Sequence, residues 1–282
     1  MERDIITVYC LIDEYLKISG IKDDVRAEIS NAEVLLIGYM AVNDFNGNYF
    51  KAHQYVKMMH LVKEIDYTRF LRRLVKINNV LSTLFLFLGS LFQRLNGAKI
   101  YSVDSFPVEL CQITRQSRVR LWSDPSLKGY NASKGRFFYG LKVHMVVTTD
   151  KEPVMVHISE GSIHDVTAGY QFMHHLPKES ITIGDKGYVS SKLEAFLKRF
   201  DIVLSPIGRN NMQQENKEDY FTKRRIRKGV ETAFSMITAK FGKVIKATTI
   251  GGFLTKLRLF ITAYAINCFL KLSDDKKALL FN

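Results

Sequence analysis

Three acidic residues sit where a chain building only an apolar core would not put them. The β-rich run KIYSVDSFP (99–107) carries Asp104, ITIGDKGY (181–188) carries Asp185 between two glycines, and the basic stretch TKRRIRKGVETAF (222–234) carries Glu231. Hard anionic oxygens converging on a water-accessible edge are what Mg2+ or Mn2+ requires, so together these acids would hold one or two divalent ions. Glycines around Asp185 would let a phosphate and a metal approach the backbone closely. Taken singly, Asp104 would serve equally as a turn former before SFP and Asp185 as the cap of a GDKG turn. The setting of Glu231, among Lys223, Arg224, Arg225, Arg227 and Lys228, favours a catalytic cluster near anionic substrate.

Other polar residues fit blander roles. Asp165 follows Ser162 by three residues in GSIHDV, which reads as a capping box. His164, His174 and His175 lack ligand spacing with any cysteine or carboxylate pair and read as surface or helix-packing residues. Lys142 and His144 alternate with Leu141, Val143 and Met145, giving one polar face that would meet either a polyanion or solvent. No GxxxxGK with a following Ser or Thr is present, so nothing suggests a nucleotide-hydrolysing loop.

The elements that must position the acids follow from the pattern. Residues 1–97 read as an all-helical N-terminal domain, with Ser30 and Glu33 at capping-box spacing and Asn48 and Asp66 as N-caps, the last opening a long helix stopped by Asn96-Gly97. DYTRFLRRLVKI sets Arg69, Arg72 and Arg73 on adjoining helix positions, where they would line DNA phosphates or simply face solvent. From residue 98 strand signals take over: KIYSVD, RFFYGLKVHMVVTTD and EPVMVHISEG, then a helix, the strand SITIGD, a helix and the strand DIVLSPIG. A polar, structureless stretch (209–220) precedes the basic helix, and a largely apolar helix closes a domain spanning 98–272, leaving 273–282 as a tail. The order β-β-β-α-β-α-β-α is that of a ribonuclease-H-like α/β fold with a mixed five-stranded sheet and flanking helices. There the first and fourth strands lie side by side, so Asp104 and Asp185 would end together on the carboxyl edge.

Composition narrows the partners. The net charge of +13 is uneven: residues 1–100 hold 13 Lys/Arg against 11 Asp/Glu, and residues 101–282 hold 28 against 17. Basic excess concentrated beside the acids points to a polyanion, foremost nucleic acid. Cys10, Cys111 and Cys268 are odd in number and far apart, which argues against a disulfide framework or zinc site and for a reducing cytoplasm. MERDIITVYCLIDEYL lacks the layout of a signal peptide, and the apolar run at 80–92 is too short to cross a bilayer, so no membrane role is expected.

The strings YSVDSFPVELC, KGYNASKGRFFYGLKVHMVVT, GSIHDV, IGDKGY and RIRKGVETAFSMI, in this order, resemble the DDE transposases of bacterial insertion sequences, most closely the family numbered 982. The resemblance covers roughly residues 70 to 270. It implies that Asp104, Asp185 and Glu231 are the catalytic, metal-binding acids, with two Mg2+ or Mn2+ ions. It also implies cleavage and joining of double-stranded DNA carrying terminal inverted repeats, a target DNA, a homodimer in the DNA complex, and a cytoplasmic, nucleoid-associated setting. A nuclease that cuts without joining, or a DNA-binding protein whose acids are structural, stays open. Arg227 matches the arginine such enzymes carry four residues before the glutamate. The matching tyrosine and lysine places hold Arg224 and Thr238, with Tyr220 and Lys240 near. Expected DNA contacts are Arg227, Lys228, Arg224, Arg225, Lys186, Tyr188, Lys134, Arg136, Lys142, Arg69, Arg72 and Arg73.

Overall fold

A computed structural model describes residues 2–207, 217–241 and 244–281. The chain divides into two compact units, Met1–Leu88 with Ile237–Asp274, and Gly89–Met236 with Asp275–Asn282.

The first unit is helical. Its elements are α1 (Glu2–Ile18), α2 (Asn31–Asn43), α3 (Tyr49–Met58), α4 (Tyr67–Lys76), the first part of α5 (Asn78–Leu95), and α9 (Ile250–Leu270). The Ser30–Glu33 capping box forms in both directions, and Asn48 and Asp66 cap α3 and α4. Each cap contributes about 1 kcal/mol by satisfying otherwise orphaned N–H groups. The long helix expected after Asp66 is broken at Ile77, with α4 and α5 meeting at 55°. The cause is local: Asn78 Nδ2 donates to the Val75 carbonyl at 2.6 Å, replacing a helical partner, and Arg258 fixes the Asn78 carboxamide oxygen. Helix α9, expected to close the domain spanning 98–272, packs against α1, α2 and α4 and falls in the first unit. It is long and apolar enough to cross a membrane, but 67% of its most apolar window is buried inside the protein.

The second unit is built on a six-stranded sheet of β1 (Ile100–Cys111), β2 (Lys128–Asn131), β3 (Arg136–Thr148), β4 (Pro153–Glu160), β5 (Ser180–Gly184) and β6 (Ile202–Leu204). Strand β3 runs antiparallel to β1 along one edge and, along the other, to β4 and β2 at successive stretches of its length. Strands β5 and β6 continue the sheet in parallel from β1. Leaving β2 aside, the order β4-β3-β1-β5-β6 is the ribonuclease-H-like one. Five strands were expected; the sixth, β2, is four residues of KGYN whose polar, glycine-containing composition carries no strand signal. Helices α6 (Asp165–Phe172), α7 (Ser191–Lys198), α8 (Lys217–Phe241) and α10 (Asp274–Phe281) complete the order. Lys217 to Tyr220, expected to be structureless, begin α8; residues 209–216 of that stretch lie outside the described residues.

Asp104 does not end its strand. Strand β1 continues through Pro107 to Cys111, paired to β3 throughout, while its pairing with β5 stops at Val103–Gly184. A proline needs an unpaired strand edge, and the end of β5 leaves β1 one. Asp104 is thus the first residue of β1 beyond the parallel neighbour.

Candidate active site

The carboxylates of Asp104, Asp185 and Glu231 converge on one guanidinium. Arg227 Nη1 lies 3.4 Å from Asp104 Oδ2 and 3.2 Å from Asp185 Oδ1, and Nη2 lies 2.7 Å from Glu231 Oε1. Three elements deliver the acids: β1 at the point where β5 stops, the short 3-10 turn Lys186–Tyr188 that follows β5, and α8, which places Arg227 and Glu231 one turn apart on one face. Phe106 and Phe234, with ring centroids 4.6 Å apart, hold α8 against the Asp104 face of the sheet.

The environments of the acids differ. Asp104 has a side chain only 16% exposed, against 42% for Asp185 and 47% for Glu231. Burial pushes the Asp104 carboxyl up to about 7, with the neighbouring charges of Asp185 and Asp165 adding to the rise while the Ser105 N–H and Arg227 oppose it. Among the described residues no three acids or imidazoles are close enough as they stand to ligate one ion. The cluster nevertheless already holds a cation, and its donors are the hard oxygens that Mg2+ and Mn2+ prefer, so the residues fit such an ion.

Behind the acids lies a layer the sequence reading missed. Asp165 is not a cap: His164 occupies the N-cap position of α6 and makes no side-chain cap bond. Instead Asp165 Oδ1 accepts from Ser105 Oγ (3.1 Å) and Lys142 Nζ (3.2 Å), and Lys142 also donates to the Ile163 carbonyl (2.8 Å). Ser105 N in turn donates to Asp104 Oδ1 (2.7 Å). On the other side, a Cβ at Gly187 would come within 2.6 Å of Asp165 Oδ2. That glycine therefore makes room for Asp165. Asp165 links the Asp104 strand to the Asp185 turn.

His144 and Tyr188 extend this layer. Both are fully buried, with His144 Nδ1 3.0 Å from Tyr188 Oη and Nε2 2.9 Å from Ser159 Oγ. Ser159 Oγ donates to the Glu160 carbonyl, so it accepts from Nε2–H and leaves Nδ1 to accept from the tyrosine. Burial lowers the His144 pKa to about 4 and keeps the ring neutral. Two expectations are corrected here: Tyr188 has no exposed surface for a DNA contact, and Lys142, 15% exposed and doubly bonded, belongs to this layer too. The alternation of Lys142 and His144 on β3 was the available signal; it marked a polar seam covered by α6, not an open face.

The remaining cations sort by exposure. Arg224, Arg225 and Lys228 are exposed on α8 and Lys186 beside Asp185. Lys134 is exposed, and Arg136 pairs with Glu109 at 2.7 Å. In the first unit Arg72 is exposed, Arg69 pairs with Glu28 at 3.1 Å, and Arg73 donates to Asn31 Oδ1 (2.9 Å) and the Ile29 carbonyl, which braces it within the unit. Lys240 donates to the Asn43 carbonyl at 2.7 Å.

A ribonuclease-H-like sheet with three acids gathered from β1, the turn after β5 and a following helix defines the class of the second unit. A family model described as "Transposase DDE domain" matches residues 96–268, more than half of the chain, and the chain belongs to the DDE transposases. A solved complex described as "Cryo-EM structure of piggyBac transposase synaptic complex with hairpin DNA (SNHP)" is similar over 98% of this chain and 77% of that chain, with a TM-score of 0.46 and 12% identity. No curated protein matches the sequence closely enough to count as a relative.

Proposed function

We propose that this protein cuts DNA at the ends of a mobile element and joins the freed ends to target DNA, with Asp104, Asp185 and Glu231 as its catalytic acids. The observation that carries the reading is the convergence of three carboxylates, 81 and 46 residues apart in sequence, on the Arg227 guanidinium. Asp104 and Asp185 would hold a divalent ion, with Glu231 joining them as Arg227 turns away. When bound, such ions polarise the scissile phosphate and ease deprotonation of the attacking water or 3′-hydroxyl.

The chain's own residues supply the rest. Arg227, released toward a phosphate, binds two of its oxygens and orients it in the way a planar guanidinium allows. Lys228, Arg224, Arg225 and Lys186 hold flanking backbone by charge. Asp165, through Ser105 and the contact at Gly187, keeps the Asp104 and Asp185 segments in register. Double-stranded DNA with terminal inverted repeats, a target DNA and a homodimeric DNA complex complete the proposal.

The test is a purified-protein reaction on the flanking inverted repeats with Mg2+ or Mn2+. Strand-transfer products support the full reading. Cut ends without joining would reduce it to a nuclease, and inert DNA with retained binding would make the acids structural.

A further inference from the structure

The β2–β3 hairpin carries a feature the cleavage chemistry does not use. Tyr130 and Phe137, a directly opposed cross-strand pair, meet edge to face with centroids 5.1 Å apart, yet 53% and 54% of their surface is exposed. Lys128 Nζ stands 5.1 Å over the Phe137 ring. The tip is tight: Asn131 caps a 3-10 turn onto Lys134, and Gly135 closes it at φ +59°. Beneath the pair the hairpin is anchored by hydrogen bonds and a close backbone approach. Tyr139, on the same face, accepts from Asp124 N and donates to the Asp124 or Trp122 carbonyl, and at Gly129 any Cβ would strike the Gly161 carbonyl oxygen at 2.2 Å. Two large rings fixed in water on a well-held hairpin are a surface, not a packing residue of the core.

Charge identifies what the surface fits. Residues 112–136 contain six Lys/Arg and one acid. A second copy docking through this face would set like charges against each other, whereas a polyanion is attracted. Ring faces stack on base faces, and duplex interiors do not offer them, so the fitting ligand has unpaired bases. The location agrees. Strand β3 alternates without a bulge from Met145, the partner of Asp104, to Phe137, so the rings and Asp104 share one face of the sheet. Eight residues of strand span about 26 Å, or about eight nucleotides of a DNA strand at duplex rise.

We propose that Tyr130 and Phe137, with Lys128, Lys134 and Arg136 around them, form a stacking platform for an unpaired base of the DNA strand whose end is processed at the acid cluster. The proposal deepens the cleavage reading and rests on it for the position of the base. Binding by the platform itself is measured apart from cleavage.

The experiment uses the full chain and a labelled single-stranded oligothymidylate, with the matching duplex as comparison. Trp122, the single tryptophan, has its carbonyl within reach of the Tyr139 hydroxyl and reports binding at the hairpin by fluorescence. Tyr130→Leu/Phe137→Leu keeps apolar bulk and removes the stack. It should weaken single-strand binding roughly five- to hundredfold while leaving the salt slope unchanged, since rings release no counterions. Lys128→Gln should instead lower that slope by about one. If the double variant, folded as judged by circular dichroism, binds the oligonucleotide like the parent, the platform is refuted. It is refuted equally if the substitution alters self-association in sedimentation instead of binding. If the rings matter for binding but the parent never cleaves element ends, the cleavage reading fails and the platform stands.

Discussion

Arg227 Nη2 and Glu231 Oε1 lie 2.7 Å apart across one turn of α8, while Nη1 of the same side chain reaches both aspartates. The guanidinium is therefore the resident counter-ion of the cluster. Any divalent ion must compete with it, and charge-assisted hydrogen bonds of this kind contribute about 1.5–3 kcal/mol each. Arg227→Ala should bind Mn2+ more tightly than the parent protein when no DNA is present, by roughly tenfold or more. Titration calorimetry reads this directly. Equal or weaker binding in the variant would show that Arg227 organises the acids for the ion instead of opposing it.

Asp104 gives a pH signature without metal. Its folded-state pKa of about 7 lies above the ordinary 3.8, so between those values the folded chain binds a proton that the unfolded chain does not. Stability then falls as pH rises through this window, and the loss is complete above about pH 7. Asp104→Asn, which never ionises, should in the presence of a chelator melt at a higher temperature than the parent at pH 8. The upper bound is on the order of a few kcal/mol, and the difference should vanish near pH 4. Identical melting at pH 8 would mean that Arg227 fully compensates the charge.

The convergence of these three carboxylates was legible because a strand run carrying Asp104, a second run followed by Asp185 and a basic helix bearing Glu231 are local patterns, although β1 runs on past Asp104. Strand order was legible for the same reason. The layer behind them was not: Asp165 sits at capping-box spacing from Ser162, and only tertiary packing turns it toward Lys142 and Ser105. Tyr188 was expected to reach DNA just past Asp185, but the 3-10 turn Lys186–Tyr188 directs it inward to His144. The break at Ile77 depended on one asparagine side chain, and the place of α9 on which unit had the matching apolar face. Neither is a property of sequence period.

Asp165 should matter for rate without touching DNA. Asp165→Ala removes the acceptor shared by Ser105 and Lys142 and leaves Lys142 with the Ile163 carbonyl alone among its described partners. Cleavage should drop roughly 10- to 100-fold, the range for outer partners of metal-holding groups, with end-DNA affinity nearly unchanged. Asp165→Asn should lose less, because its amide oxygen still accepts from Ser105. Single-turnover cleavage beside a binding titration separates the two effects; equal activity in all three proteins would remove Asp165 from the positioning role.

Arg227 and Lys228 are neighbours in sequence with opposite surroundings, and DNA should report them differently. Lys228 is exposed on α8, whereas Arg227 is 24% exposed and turned to the acids. An exposed cation that neutralises a phosphate releases counterions, so Lys228→Ala should weaken end-DNA binding and lower the salt slope by about one. Arg227→Ala should cost cleavage rate more than affinity, because a bidentate guanidinium near the scissile phosphate orients as well as attracts. The paired measurement is binding and single-turnover cleavage on one end DNA at two salt concentrations. Normal cleavage by Arg227→Ala, together with an unchanged salt slope in both variants, would make this stretch of α8 an ordinary solvated face. The phosphate-holding role would then move to Lys134 and Arg136 on the hairpin.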